Sequence, residues 1–189
     1  MRILALDVST KTGWAVFDDD NLVYFGRHAI TVDNFNVNDF PDQAEEYPEN
    51  IATAAQSMCR FILTLLEDHK PDRIVIENTV KGRNRHTQRI LEWIHHELFQ
   101  NALYKFWASD RLNYRDPSWW RSKLEVRMSN EDKKNNRHVR EGKKRGKVTV
   151  KHLSVRKANE LFGKGLKIKD NDIADAMLLG LAQYKEMNP

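Results

Sequence analysis

The stretch Ile3-Leu4-Ala5-Leu6-Asp7-Val8-Ser9-Thr10-Lys11-Thr12-Gly13-Trp14-Ala15-Val16-Phe17 decides how the rest of the chain is read. Four apolar residues, a carboxylate, a tight polar turn and a returning apolar run spell a β-hairpin with Asp7 at the end of its first strand. A strand this apolar belongs in the middle of a sheet, buried on both faces, where a lone ionised carboxylate is costly unless a cation or several donors meet it. Asp7 therefore needs a partner. One answer is local, with Asp7 capping the turn through Ser9 and Thr10; the other is a cation.

Working outward, Leu22 to Val32 reads as a third strand that completes an antiparallel meander, with Asp18-Asp19-Asp20-Asn21 as the turn. Residues 33–50 are polar and acidic and read as a surface loop. From Ile51 the apolar positions Ala54, Met58, Phe61, Ile62, Leu65 and Leu66 recur at helical spacing until Lys70-Pro71 stops them. Ile74-Val75-Ile76-Glu77 is then a short β-branched strand that also ends on a carboxylate, and strand–helix–strand implies a parallel crossover. Helical spacing returns over 84–106 through Ile90, Leu91, Ile94, Leu98, Ala102, Leu103 and Phe106. Trp93 and Phe99 widen that apolar surface beyond one stripe, for the core or for a second subunit.

Asn113 to Asp116 reads as an edge strand, and Pro117 opens a helix through Leu124. Residues 127–147, poor in apolar side chains and rich in Lys, Arg and Asn, predict a mobile loop. A helix over Val148–Phe162 ends at Gly163, and Asp170-Asn171 caps a last helix through Ile173, Ala174, Ala176, Met177, Leu181 and Tyr184. The whole is one α/β domain, a mixed sheet of an antiparallel three-stranded meander plus parallel strands, flanked by helices.

A chain of 189 residues suits a single domain. No apolar stretch reaches the roughly 18 to 20 residues of a membrane span, and the N-terminus runs straight into a strand without a charged-then-apolar leader. Cys59, the one cysteine, sits in an apolar helical pattern, consistent with a reducing, cytoplasmic setting. Charge is unevenly divided. Residues 1–80 hold 6 Lys and Arg against 14 Asp and Glu, a net of −8, so the remaining 109 residues carry +12. Such a split suggests a nucleic-acid surface built by the second half, above all by residues 121–157, with 14 Lys and Arg against 4 acids.

The carboxylates carry the chemistry. Asp172 and Asp175 are three apart and share a helix face. Asp172 lies in the first turn, where the helix dipole favours an anion, but Ile173, Ala174, Ala176 and Met177 leave Asp175 no polar face to occupy. If that helix packs beside the ends of the strands carrying Asp7 and Glu77, three or four acids converge with no Lys or Arg placed to neutralise them. Carboxylates that close raise one another's pKa unless divalent cations lie between them. Oxygen-only ligands select Mg²⁺ or Mn²⁺, and a pair of such ions about 3.5 to 4 Å apart is the arrangement that clamps both oxygens in phosphodiester hydrolysis.

At these residues the sequence resembles the RuvC family of Holliday-junction resolvases, within the RNase H-like fold. The matching motifs are Leu6-Asp7-Val8-Ser9 through Gly13-Trp14-Ala15, then Ile74-Val75-Ile76-Glu77, then Asp172-Ile173-Ala174-Asp175-Ala176, in the family's order. The resemblance implies a homodimeric nuclease that nicks a four-way DNA junction symmetrically, with Asp7, Glu77, Asp172 and Asp175 binding two Mg²⁺ ions per site. Lys147, in Lys147-Val148-Thr149-Val150-Lys151-His152-Leu153, occupies the place of the family's basic residue near the scissile phosphate. Arg83, Arg85, Arg121, Lys123, Lys143, Lys144, Arg145, Lys147 and Lys151 are the candidate DNA contacts. Two features depart from the pattern. Where the family often carries an aromatic wedge after the Glu-bearing strand, this chain has Asn78-Thr79-Val80-Lys81-Gly82-Arg83, and the basic stretch 127–147 is long, as in a viral or divergent member acting on nucleoid or viral DNA.

Other readings remain. A flap, branched-DNA or RNase H-like nuclease would use the same fold and acids. Asp7-Val8-Ser9-Thr10-Lys11-Thr12-Gly13 also looks like the phosphate hairpin of actin and sugar-kinase ATPases, but those need two such domains, so no nucleotide cofactor is expected. His95-His96 lacks further ligands at metal spacing, and Trp119-Trp120 reads as packing.

Overall fold

The structure, a computed structural model, describes residues 1–30, 49–78, 85–141 and 146–189, the side chains of Asn50, Arg85, His86 and Thr87 excepted. Strands β1 (Arg2–Asp7), β2 (Lys11–Asp18), β3 (Asn21–Ala29), β4 (Arg73–Glu77) and β5 (Leu112–Arg115) form a five-stranded sheet in the order β3-β2-β1-β4-β5. β1 is central. It pairs antiparallel with β2, setting Asp7 opposite Gly13, and parallel with β4, setting Leu6 beside Ile76. β3 extends the meander antiparallel to β2, and β5 lies parallel to β4 at the far edge.

The apolar strands are buried on both faces because each face has its own core. Leu4, Leu6, Val16, Ile74 and Ile76 point to helices α1 (Glu49–His69) and α2 (Arg85–Leu98), against Ile51, Ala54, Met58, Ile62, Ile94 and Leu98. Ile3, Ala5, Ala15, Phe17 and Val75 alternate with them and point to the opposite layer, against Trp120, Val155, Ala174, Met177 and Leu178. Cys59 is free and buried among the first set, as its helical spacing predicts. Of the acidic loop expected over 33–50, residues 33–48 lie outside the described residues, and 49–50 are corrected to the first residues of α1.

One helix expected over 84–106 is interrupted. α2 passes through a π-helical turn, Phe99–Leu103, into α3 (Tyr104–Ala108), with Tyr104 N–H donating to Phe99 O. The added residue per turn rotates the apolar face, so that Phe99, Tyr104 and Trp107 contact one another at 5.8 to 6.1 Å between rings.

The loop expected over 127–147 is corrected by a helix. After α4 (Pro117–Lys123), α5 runs Asn130–Arg140. Composition alone hides it, because its inward face is polar: Asp132 and Asn136 are buried and bonded rather than apolar. Its start is a capping box, Ser129 Oγ accepting from Asp132 N–H and Asp132 accepting from Ser129 N–H. α6 (Val150–Phe162) stops at Gly163, whose φ of +63° is left-handed, as expected of a helix-ending glycine. The expected cap on the last helix is also corrected. Asp170 closes a short 3₁₀ turn, Ile168–Asp170, by accepting from Lys167 N–H, and makes no side-chain cap on α7 (Asn171–Met187).

α7 lies flat on β1 and β2, and two glycines permit it. A Cβ on Gly180 would come within 2.5 Å of the Phe17 ring, and one on Gly13 within 1.9 Å of the Asp172 carbonyl oxygen.

Candidate active site at the acidic end of the sheet

Parallel pairing of β1 and β4 puts Asp7 and Glu77 at the same end of adjacent strands, which in a sheet run about 4.8 Å apart. The contact of α7 on Gly13, Asp7's partner across the hairpin, delivers Asp172 and Asp175 to that end from the face above. The hairpin turn itself is closed by Thr12 Oγ1, which donates to Ser9 O at 2.8 Å and accepts from Ser9 N–H, while Ser9 Oγ accepts from Lys11 N–H. The turn therefore draws nothing from Asp7, and the local capping explanation of that acid falls away.

Electrostatics register the convergence. Burial pushes Asp7 well above the usual carboxylate range, and Glu77, Asp175 and Asp172 push it further in the same direction, against the pull of Arg121. Burial, then the Asp175 charge, lift Glu77 to about 7, opposed by the Trp120 N–H and Arg121. Asp175, 8% exposed, is lifted to about 6 chiefly by burial, with Ser154, Arg121 and Lys151 acting the other way. Its Oδ1 is buried without a hydrogen-bond partner, and so is the Oγ of the fully buried Ser154. Asp172 is half-buried and accepts from Asn171 Nδ2 at 2.6 Å.

Helix α4 supplies what the sequence did not reveal. Trp120, fully buried, donates its indole N–H to Glu77 Oε2 at 2.7 Å, so it is more than the packing residue its apolar character predicts. Arg121 lies 4.8 Å above the Trp120 ring with its Nε buried and unpartnered, and it acts on Asp7, Glu77 and Asp175 alike. The expectation that no cation faces the acids is corrected here. Arg121 belongs to the site, whereas the sequence marks it only as a candidate DNA contact.

Other predicted residues are dispersed. Lys151, exposed in the first turn of α6, acts on Asp175, whereas Lys147 is exposed on the approach to that helix. Lys123 bonds Glu186, about three turns along α7 from Asp175, and so is turned away from the acids. Arg83, Lys143, Lys144 and Arg145, the wedge position at Val80 and the Arg85 side chain lie outside the described residues. His95 is held near 4 by burial, with Nε2 unpartnered beside Tyr114, and His96 is exposed.

Among the described residues no three His, Cys, Asp or Glu side chains are drawn close enough to enclose a cation as they stand. The donor set nevertheless fits a hard divalent ion. All four groups offer oxygen, one of those oxygens is buried and unsatisfied, and three of the acids are pushed toward protonation by burial first and by one another's charge second, both of which a cation would offset. No helix among the described residues is long and apolar enough to cross a membrane.

Compared by sequence, the chain matches no protein-family model and no curated protein. Compared by structure, it superposes on Thermus thermophilus RuvC in complex with a Holliday junction substrate at a TM-score of 0.63 and 12% identity, over 99% of this chain and 96% of that one. A second structure of T. thermophilus RuvC gives 0.62 and 12%, over 100% and 97%. The yeast mitochondrial Holliday junction resolvase gives 0.51 and 14%, over 97% of this chain and 78% of that one. The order of the sheet, its two helical layers and these superpositions give the chain the RNase H-like fold in the form that the RuvC resolvases share.

Proposed function

We propose that the chain is a metal-dependent, structure-selective DNA endonuclease that resolves four-way junctions by paired, symmetric nicks. The observation that carries this reading is the collection of Asp7, Glu77, Asp172 and Asp175 at one end of the sheet with an unsatisfied buried oxygen on Asp175. Asp7, Glu77, Asp172 and Asp175 would hold Mg²⁺, or Mn²⁺ in its place, as two ions. Bound there, the metal supplies an activated water and neutralises charge on the scissile phosphate.

The chain's own groups prepare that site. Trp120 fixes Glu77 Oε2, which leaves Oε1 as the freer donor. Arg121 and Lys151 favour the ionised acids and offer positive charge to a phosphodiester beside them. Lys147, close in sequence to Lys151, is the further phosphate contact assigned by resemblance. The exposed cations of α4–α6, together with Lys143, Lys144 and Arg145, position the DNA.

A four-way junction presents two equivalent strands, so paired nicking calls for a two-fold dimer. We place its interface on α2 and the π turn, where Trp93 is 40% exposed and Phe99 is partly buried. Light scattering should return twice the 22.2 kDa chain mass, and Trp93→Glu should return the chain mass itself. The deciding assay offers four-way, flap, linear duplex and RNA–DNA substrates with Mg²⁺. Cleavage confined to the four-way junction, in matched pairs of nicks, is expected; equal or faster cutting of flaps or RNA–DNA would replace the reading with a flap or RNase H-like nuclease.

A further inference from the structure

We infer that α5 is a docked contact for duplex DNA, in which Lys133, Arg137 and Arg140 bind backbone phosphates while the opposite face is latched by hydrogen bonds to Arg156 of α6 and to the segment 146–148 before it. The inference rests on the reading of the chain as a DNA-acting protein and adds a binding surface to it.

The latch is made of paired interactions. Arg156 Nη1 and Nη2 donate to the two oxygens of Asp132 at 2.9 and 3.0 Å. Asn136 donates to Val148 O at 2.9 Å and accepts from Val148 N–H at 2.8 Å, and Asn135 donates to Gly146 O at 3.1 Å. Asp132 and Asn136 are 6% and 7% exposed, so the helix is seated and not merely alongside. Bidentate and reciprocal bonds fix orientation as well as contact.

What the seated helix shows to solvent is cationic. Lys133, Arg137 and Arg140 are exposed and spaced i, i+4, i+7, one stripe about 10 Å long. Lys134 is exposed beside them; of the acids, Glu131 is exposed on the first turn and Glu141 at the C-terminal cap, and Asp132 is matched by Arg156, so cations outnumber exposed acids on this face by four to two. The latch ties α5 to the segment that leads into α6, closing on Val148, three residues before the Lys151 that acts on Asp175. A polyanion suits this charge, and the neighbouring composition narrows it to a duplex. Residues 127–147 contain no Phe, Tyr or Trp on which an unpaired base could stack, and the stripe carries no apolar side chain to enter a lipid surface.

The test measures DNA binding without divalent metal, by anisotropy over a salt series, on a labelled linear duplex and a labelled four-way junction. Lys133→Ala/Arg137→Ala/Arg140→Ala should flatten the slope of log K against log salt by about 2 to 3 on both DNAs, since each phosphate contact contributes roughly 0.9. Asp132→Asn gives a result of opposite sign for the two explanations. It removes a negative charge, so an unseated run of charges would bind DNA more tightly, whereas loss of the latch should weaken binding about five- to tenfold. Asn136→Ala, which changes no charge, should weaken it in the same direction. An unchanged slope in the triple variant, or tighter binding by Asp132→Asn, overturns the role of α5 and leaves the nuclease reading standing. Failure of the unmodified protein to bind either DNA overturns both.

Discussion

Asp175 and Asp132 are the same residue type and keep nearly the same small exposed surface, 8% and 6%, but one lies deep and the other near the surface, and the chain treats them in opposite ways. Asp132 receives both arms of Arg156 and the Ser129 N–H, which hold it down to about 2. Asp175 has Ser154 beside it and Arg121 and Lys151 within reach of its field, yet one oxygen stays unpaired and the group is pushed up to about 6. Two causes separate them: Asp175 lies deep in the domain, where desolvation is the largest influence on it, whereas Asp132 lies near the surface, where the Arg156 fork outweighs a smaller desolvation. A satisfied acid locks one helix to another, while an unsatisfied one stores an affinity for whatever cation arrives.

The sharpest way to break this contrast is to convert each acid to its amide. Asp175→Asn, Asp7→Asn and Glu77→Gln should each lower Mg²⁺-dependent junction cleavage by on the order of a thousandfold or more while leaving DNA binding nearly intact. Asp172→Asn should be milder, because Asp172 also serves the first turn of α7. Asp132→Asn should leave the rate at saturating DNA within a few-fold of the unmodified protein. A cleavage loss in Asp132→Asn as deep as in Asp175→Asn would erase the distinction.

Stability without metal should move the other way. Glu77 and Asp175 hold protons in the folded chain up to about 7 and about 6, above the roughly 4 of an unfolded carboxylate. The folded state then binds more protons than the unfolded one between those values, so metal-free stability falls as pH rises from about 4 to about 7. Asp132 has the reverse sign. Its folded value lies below the unfolded one, so its contribution is present above about pH 4 and is lost as pH falls toward 2. At pH 8 in EDTA, Glu77→Gln should therefore raise the midpoint of thermal unfolding by roughly 3 to 6 °C, the equivalent of about 1 to 2 kcal/mol, and Asp132→Asn should lower it. Melting curves across pH 4 to 8 check both signs, and added Mg²⁺ should abolish the advantage of Glu77→Gln.

A smaller effect is expected at Trp120. Trp120→Phe keeps most of the ring volume and removes the indole N–H that holds Glu77, so cleavage should drop about tenfold and the Mg²⁺ concentration at half-activity should rise. A change in maximal rate with unaltered metal dependence would assign Trp120 to packing.

The parts of this site that were legible in the sequence are those that break a local pattern. Asp7 and Glu77 close apolar strands, and Asp175 interrupts an apolar helix face, so each stands out against its neighbours. The sheet and most helices were legible for the same reason, since alternation and helical spacing both mark a side that must be buried. Trp120 and Arg121 were not, because a Trp–Arg pair in a short helix looks alike whether it packs or points at a carboxylate. α5 was hidden by an inward face of Asp and Asn, although Ser129-Asn130-Glu131-Asp132 carried the capping signal. The π turn at Phe99–Leu103 shifts the phase of the apolar face, but Phe99, Tyr104 and Trp107 make that stretch apolar on more than one side and so mask the shift in the sequence.

The contact between Gly13 and the Asp172 carbonyl divides the site into a fixed jaw and an adjustable one. With no room for even a methyl group between β2 and the first turn of α7, Asp172 and Asp175 cannot slide relative to Asp7 without lifting the helix off the sheet. Glu77 is steadied instead by a single hydrogen bond from the seven-residue α4. On that side one indole and one guanidinium, rather than a backbone contact, govern the carboxylate's setting. Selection for a different metal or a bulkier strand would act first on α4, and Gly13 would be the last residue of the hairpin free to vary.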